Sequence, residues 1–287
     1  MNKQIEILNN KHLGIIFQPR SGSHVLREYM CKLLNRENLH EFFNPRISLP
    51  EISIENNIVK QIGSVESINP RPYAEEKSSI LNKIEILQNL SNNEKYGVAS
   101  IYSAAYPKYY QKSASSLLEL IAQQQNIQFI ELDRADVLYS IISLFISAKT
   151  DVFHNTDQQM KLRSNFNLHM DMTYVEEHLQ TYIDNKNLTK QHFENIPIIY
   201  YEQYQNKITN ILNLFTGIPK KIVGLGSNKF KGNHKELISN INEVEDYYEE
   251  FVNKHSEYFP QYFDKLPAIT IPASQGRQPK ILLPEYS

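Results

Sequence analysis

Leu13-Gly14-Ile15-Ile16-Phe17-Gln18-Pro19-Arg20-Ser21-Gly22-Ser23 is the stretch on which the fold turns. Residues 13–17 are a short apolar run of the kind that fills a buried strand. Gln18 to Ser23 is turn chemistry, with Pro and Gly as punctuation. From Ser23 onward the spacing becomes helical, and Val25, Leu26, Tyr29, Met30, Leu33 and Leu34 fall on one face. The reading is strand, tight loop, helix. In an open parallel sheet, ligands bind outside the carboxyl ends of the strands, where this loop would lie.

Working outward, strands and helices alternate. Ser79 to Leu90 reads as a helix, with Ile80, Ile84 and Leu87 on one side. Tyr96 to Tyr102 reads as a strand, Ser115 to Gln125 as a helix, and Ile127 to Leu132 as a third strand. Asp133-Arg134-Ala135-Asp136 leads into a helix ending near Lys149. Ile196 to Tyr201 is a fourth strand, Ile208 to Phe215 a helix stopped by Gly217 and Pro219, and Glu243 to Lys254 a last helix. This alternation predicts an α/β fold, a P-loop-like parallel sheet flanked by helices, over residues 1–263. Residues 44–95 are expected to carry an irregular insert, most irregular from Asn44 to Pro72, that covers an acceptor site. Residues 264–287, broken by Pro267, Pro272, Pro279 and Pro284, read as a tail.

Composition narrows the function classes. A chain of 287 residues with 41% hydrophobic side chains can bury one large core. Its net charge of −2 gives no global attraction to nucleic acid or to an anionic membrane. Cys31 is the single cysteine, so a cysteine zinc site and an intrachain disulfide are excluded; it reads as a core filler. No apolar run approaches the roughly 20 residues that span a bilayer, and Met1 to Lys11 is unlike a signal peptide, which predicts a cytoplasmic protein.

The loop is suited to an anion. A strand-to-helix loop exposes backbone N–H groups, and the helix dipole adds partial positive charge there. Gly22 permits close approach, Ser21 and Ser23 add hydroxyl donors, and Arg20 brings a planar donor fork matched to phosphate or sulfate oxygens. G-x-x-x-x-G-K-[ST] is absent, which disfavours a nucleotide triphosphatase.

Pro19-Arg20-Ser21-Gly22-Ser23 after a hydrophobic strand resembles the 5′-phosphosulfate loop of sulfotransferases that use 3′-phosphoadenosine-5′-phosphosulfate (PAPS). Arg20 stands where that family has Lys or Arg, and His24 replaces a second hydroxyl residue usual in the loop. Leu132 to Val137, continuing to Ser143-Leu144-Phe145, resembles the family's 3′-phosphate segment, with Arg134 and Ser143 at the matching positions and Ser140 as a competing choice. Asp136 to His154 and Glu41-Phe42-Phe43 are similar to the bacterial trehalose sulfotransferase type. Tyr200-Tyr201-Glu202 resembles the family's late strand–helix unit, and Asn228-Lys229 its basic loop over the nucleotide. The resemblance implies PAPS as co-substrate, no metal, a hydroxyl-bearing acceptor such as a carbohydrate, and a homodimer. It implies Arg20, Ser21, Gly22, Ser23, His24, Arg134, Ser143 and Lys229 as nucleotide ligands.

Sulfuryl transfer needs a base for the attacking hydroxyl and positive donors at the leaving oxygen. The resemblance puts Glu41 in the base position. Its apolar neighbours Leu39, Phe42 and Phe43 are expected to desolvate it and raise its pKa. His40 and His154 are the alternatives. Arg163, His169 and Tyr102 are candidates for the acceptor pocket. Two other functions remain open at this point. One is a phosphotransferase with Glu131 or Asp133 on Mg²⁺; the other is a non-catalytic nucleotide- or glycan-binding module on the same fold.

Overall fold

The computed structural model describes residues 10–45, 52–55, 58–61, 72–150, 167–193, 196–202, 234–259, 269–271 and 280–282. The decisive stretch folds as read. β1 (His12–Phe17) is buried along its whole length and runs into α1 (Ser23–Leu34). β2 (Glu37–Asn38) follows. Two four-residue strands, β3 (Ile52–Glu55) and β4 (Ile58–Gln61), pair antiparallel. Next come α2 (Tyr73–Asn92), β5 (Gly97–Tyr102), α3 (Ala105–Tyr110), α4 (Ala114–Ala122) and β6 (Ile127–Asp133). The chain continues with α5 (Val137–Thr150), α6 (Met172–His192), β7 (Ile198–Tyr200) and α7 (Ile241–Lys254). Near the end, β8 (Ile269–Ile271) and β9 (Lys280–Leu282) form a second antiparallel ribbon.

The main sheet has five strands in the order β2-β5-β1-β6-β7, and every pairing is parallel. Phe17 lies level with Tyr102 on one side and Leu132 on the other, and Asp133 lies level with Tyr200. All the loops that follow these strands therefore open on one edge. The chain leaves β1 toward β2 and leaves β6 toward β7, in opposite directions across the sheet. The crevice between the β1 and β6 tips is thus a topological switch point, the usual ligand position in such sheets.

Alternation along the strands sorts the cores. Leu13, Ile15 and Phe17 face α1, where Leu26, Tyr29, Met30 and Leu33 pack on them. Ile16, Ala99, Ile101 and Phe129 face the other way, onto α2 and α4. A third cluster joins α5, α6 and α7 through Ile142, Ile146, Val175, Leu179 and Val244. Gly14 has a specific reason to lack a side chain: a Cβ there would sit 2.7 Å from the Phe129 ring, so the ring lies directly over β1.

Three expectations need correction. The stretch from Asn44 to Pro72 is not irregular throughout, since it holds the β3–β4 ribbon, and the helix expected over Ser79 to Leu90 is present but longer: the 20-residue α2 begins at Tyr73 and buries Ile80, Ile84, Leu87 and Leu90 in the sheet's core. Pro72 before α2 and Glu75 and Glu76 in its first turn explain the earlier start. The 264–287 tail carries the paired β8 and β9, with its prolines outside both strands. Cys31 is half-buried at the edge of the core, and burial pushes its thiol up to about 12, so it stays protonated. The helix expected over 208–215 lies outside the described residues. Among the described residues, no helix is long and apolar enough to cross a membrane.

Candidate functional site

The loop after β1 is wound tightly. The Ser21 N–H donates to the Gln18 carbonyl at 3.3 Å, and both Arg20 (φ 62°) and Gly22 (φ 83°) adopt the left-handed region. Gly22 does so at little cost; Arg20 does not, and a strained non-glycine residue of this kind is characteristic of functional loops. Gly22 is also the N-cap of α1 and has no side chain with which to cap it. The first-turn amides therefore point to the strand-tip edge beside Arg20, in the arrangement that receives anions. Ser21 is buried, Ser23 half-buried and His24 exposed.

The second segment meets the first. Arg134, just past the tip of β6, donates from Nη1 to the Arg20 carbonyl at 2.9 Å. Arg20 in turn donates from Nε to the Ser143 hydroxyl on α5 at 3.1 Å. Ser143 is buried, one turn beyond Tyr139, whose N–H is capped by the Asp136 carboxylate at 2.8 Å. Two arginines from adjacent strand tips thus share one crevice, and like charges gather there only when something anionic offsets them. Part of that offset is Glu202, whose Oε1 accepts from Arg134 Nε at 3.3 Å. The Arg134 guanidinium also lies between the Tyr139 and Tyr201 rings, 4.6 Å from each centroid.

Below the crevice lies a charged cluster that the sequence reading missed. Lys186 of α6 is 2.7 Å from both Glu131 and Asp133 of β6. Tyr182 donates to Asp133 Oδ2 at 2.9 Å, while Asp133 Oδ1 accepts the Arg134 N–H at 2.7 Å. The two carboxylates hold the Lys186 ammonium charged, far above its ordinary pKa, against the opposing effect of burial. Burial raises the Glu131 carboxyl, with Lys186 working against it. Asp133 therefore anchors the peptide that presents Arg134, and Lys186 fixes Asp133. The sequence carries only a diluted signal for the helix, Val175, Leu179, Tyr182 and Ile183 at helical spacing behind the N-cap Asp171, and none for the ion pairs. Since Lys186 occupies both carboxylates, they are poorly placed to hold Mg²⁺.

The proposed base sits on the opposite flank of β1. After β2 the chain continues alongside β5, with the Leu39 N–H on the Val98 carbonyl at 2.9 Å and the Ser100 N–H on the His40 carbonyl at 2.7 Å. Phe42 and Phe43 are buried there, and the Tyr106 hydroxyl donates to the Phe43 carbonyl. Glu41 is half-buried and accepts from Asn44 Nδ2 at 2.6 Å. Buried Arg27 donates to the Ser100 hydroxyl at 2.8 Å and to His24 Nδ1 at 2.7 Å. His24 also pairs with Glu28 at 3.1 Å, so its ring is engaged along α1. Burial lowers the His40 pKa, and the positive charge of Arg27 lowers it further.

The structure therefore unites Arg20, Ser21, Gly22, Ser23, Arg134 and Ser143 at one crevice, with Glu41 and His40 further along the same edge. Tyr102 also lies there, stacked on Phe17 with centroids 5.4 Å apart. His169 is exposed beside the bridge between Leu168 and Ile238. His154, Arg163 and Lys229 lie outside the described residues. No protein-family model matches the chain, and no curated protein resembles it closely enough to count as a match.

Proposed function

We propose that this chain is a sulfotransferase that passes the sulfuryl group of PAPS to a hydroxyl of a carbohydrate or other small metabolite. One observation carries the reading: Arg20, Arg134 and Ser143, drawn from two segments more than a hundred residues apart, meet at the switch point between β1 and β6. Two permanent cations beside a helix N-terminus suit a ligand with two phosphate-type groups better than one with a single charge.

In this scheme Arg20 and the loop amides hold the 5′-phosphosulfate, while Arg134 and Ser143 hold the 3′-phosphate. The acceptor oxygen forms the new bond to sulfur. The bond from sulfur to the bridging oxygen breaks, its electron pair goes to the 5′-phosphate, and Arg20 stabilises the charge that appears there. The hydroxyl proton passes to Glu41. The β2 tip stands two strand spacings from β1, ~10 Å along the edge, which leaves room for an acceptor between base and donor. Arg134 would exchange its bond to Glu202 for one to phosphate.

The test is titration with 3′-phosphoadenosine-5′-phosphate by calorimetry. Wild type should bind it, and Arg20→Ala and Arg134→Ala should each weaken binding by about 2–5 kcal/mol, the loss expected when a buried charge-assisted contact is removed. Failure of wild type to bind, or wild-type affinity retained in both variants, would exclude the reading.

A further inference from the structure

Glu202 lies just past the tip of β7, and three donors hold its carboxylate. Oε1 accepts from Arg134 Nε at 3.3 Å and from the Asp136 N–H at 3.4 Å. Oε2 accepts from the Ala135 N–H at 2.9 Å. A guanidinium beside consecutive amides at the head of a helix, here α5, is a donor set that suits a phosphate-type anion. A carboxylate of the chain itself therefore sits in an anion seat.

That carboxylate is not needed to place Arg134. The Arg134 N–H is fixed by Asp133 at 2.7 Å and Nη1 by the Arg20 carbonyl at 2.9 Å. The guanidinium is held between the Tyr139 and Tyr201 rings, 4.6 Å from each centroid. Each of these contacts is independent of Glu202. The Glu202 side chain is also 19% exposed, so it has a way out to solvent.

We propose that Glu202 is a tethered competitor for the 3′-phosphate: it fills the seat when the nucleotide is absent and re-enters as the 3′-phosphate lifts off, which speeds release of the spent nucleotide. The inference rests on the nucleotide reading above and concerns how that site is emptied. Tethering gives one carboxylate this power, because a group on the same chain acts at an effective concentration of roughly mM. A nucleotide anchored through its 5′ end has the same advantage, and its 3′-phosphate brings about two charges against one. A nucleotide without the 3′-phosphate leaves Glu202 seated and is indifferent to it. Release of product is a common limit on turnover, so a device that loosens the nucleotide has a use.

The experiment compares 3′-phosphoadenosine-5′-phosphate with adenosine 5′-phosphate on wild type, Glu202→Gln and Glu202→Asp, by calorimetry and stopped-flow dissociation. A seat open a tenth of the time lowers apparent affinity about ten-fold. Glu202→Gln should therefore bind the bisphosphate roughly ten-fold more tightly, through slower dissociation. Its affinity for adenosine 5′-phosphate should stay at the wild-type value, which also shows that the variant is folded. Glu202→Asp keeps the charge but shortens the reach, so it too should bind the bisphosphate more tightly than wild type. Bisphosphate affinity unchanged or lower in Glu202→Gln would make Glu202 a support for the loop; the proposal would fall and the nucleotide reading would stand. Equal gains for both ligands, or a gain in Glu202→Gln that Glu202→Asp lacks, would reduce the effect to charge repulsion and overturn the proposal as well. Failure of wild type to bind the bisphosphate would remove the nucleotide reading and this proposal together.

Discussion

The two flanks of β1 are built from different chemistry. On the β6 side, the groups that meet are permanent: the guanidiniums of Arg20 and Arg134, tied through Ser143 and the Arg20 carbonyl. On the β5 and β2 side, the groups are titratable: His24, His40 and Glu41, arranged round a single buried arginine, Arg27. The first flank can hold a multiply charged ligand at any physiological pH. The second can accept and release a proton. The proposed transfer reaction needs both, and the strand order β2-β5-β1-β6 puts the two flanks on one edge with β5 between.

The largest expected effect separates the flanks. Glu41→Gln should reduce transfer by about 10²–10⁴-fold, the usual contribution of a general base, and leave affinity for 3′-phosphoadenosine-5′-phosphate unchanged. Single-turnover transfer and calorimetry on the same preparation check it. Unaltered turnover would remove Glu41 from the chemistry and erase the division of labour between the flanks.

Acid titration of the second flank must be distinguished from acid unfolding, and the opposite edge of the sheet supplies the control. His12 is buried, accepts the Gly97 N–H on Nδ1 at 2.9 Å and donates from Nε2 to the Leu87 carbonyl at 2.9 Å. Burial lowers its pKa from 6.5 to about 4. Above pH 6.5 both folded and unfolded states leave it neutral. As pH falls from 6.5 toward 4, the unfolded chain binds a proton that the folded chain refuses, and stability drops by about 3 kcal/mol in all. Urea unfolding at a series of pH values should show this slope, and His12→Gln should flatten it. A slope unchanged in the variant would assign the acid sensitivity elsewhere.

Gly22→Ala probes the first flank through its backbone. At φ 83° an added Cβ costs about 1–2 kcal/mol, so the melting temperature should fall by a few degrees. Nucleotide affinity should fall with it, because the same strain reshapes the loop beside Arg20. Thermal melts with and without nucleotide read both effects; a drop in stability with affinity intact would show that the loop backbone takes no part in binding.

How much of this was legible in the sequence follows from where each signal resides. The β1–α1 unit was readable because its apolar run and its helical period are both local, and the same holds for β5, β6 and α5. The contact between Arg20 and Ser143 was only partly readable, since resemblance paired the segments but only the strand order brings them together. Lys186 was missed for a different reason. α6 is rich in Asn, Lys, Glu and Thr, so its apolar positions are diluted, and its charged partners lie on β6, over fifty residues earlier. β2, at two residues, is too short to leave a periodicity at all; the pairing with β5 defines it. His24 stands in the loop by sequence yet is engaged along α1, because Arg27 and Glu28 lie three and four residues on, within reach of its ring.

The smallest effect tests whether Arg27 governs the second flank. Arg27 is buried, and its positive charge is one of the influences that lower the His40 pKa, after desolvation. Arg27→Gln removes the charge while keeping a donor for the Ser100 hydroxyl. The His40 pKa should then move upward toward its ordinary value without reaching it, since the burial remains. The shift is upward because a neighbouring cation disfavours a second positive charge, and deleting it makes protonation easier. Titration of the His40 ring protons by NMR gives the direction. A pKa unmoved in Arg27→Gln would mean that desolvation alone tunes this histidine and that the second flank is not electrostatically organised round Arg27. A downward shift would mean that the substitution had closed the flank to solvent, and that Arg27 acts there by packing.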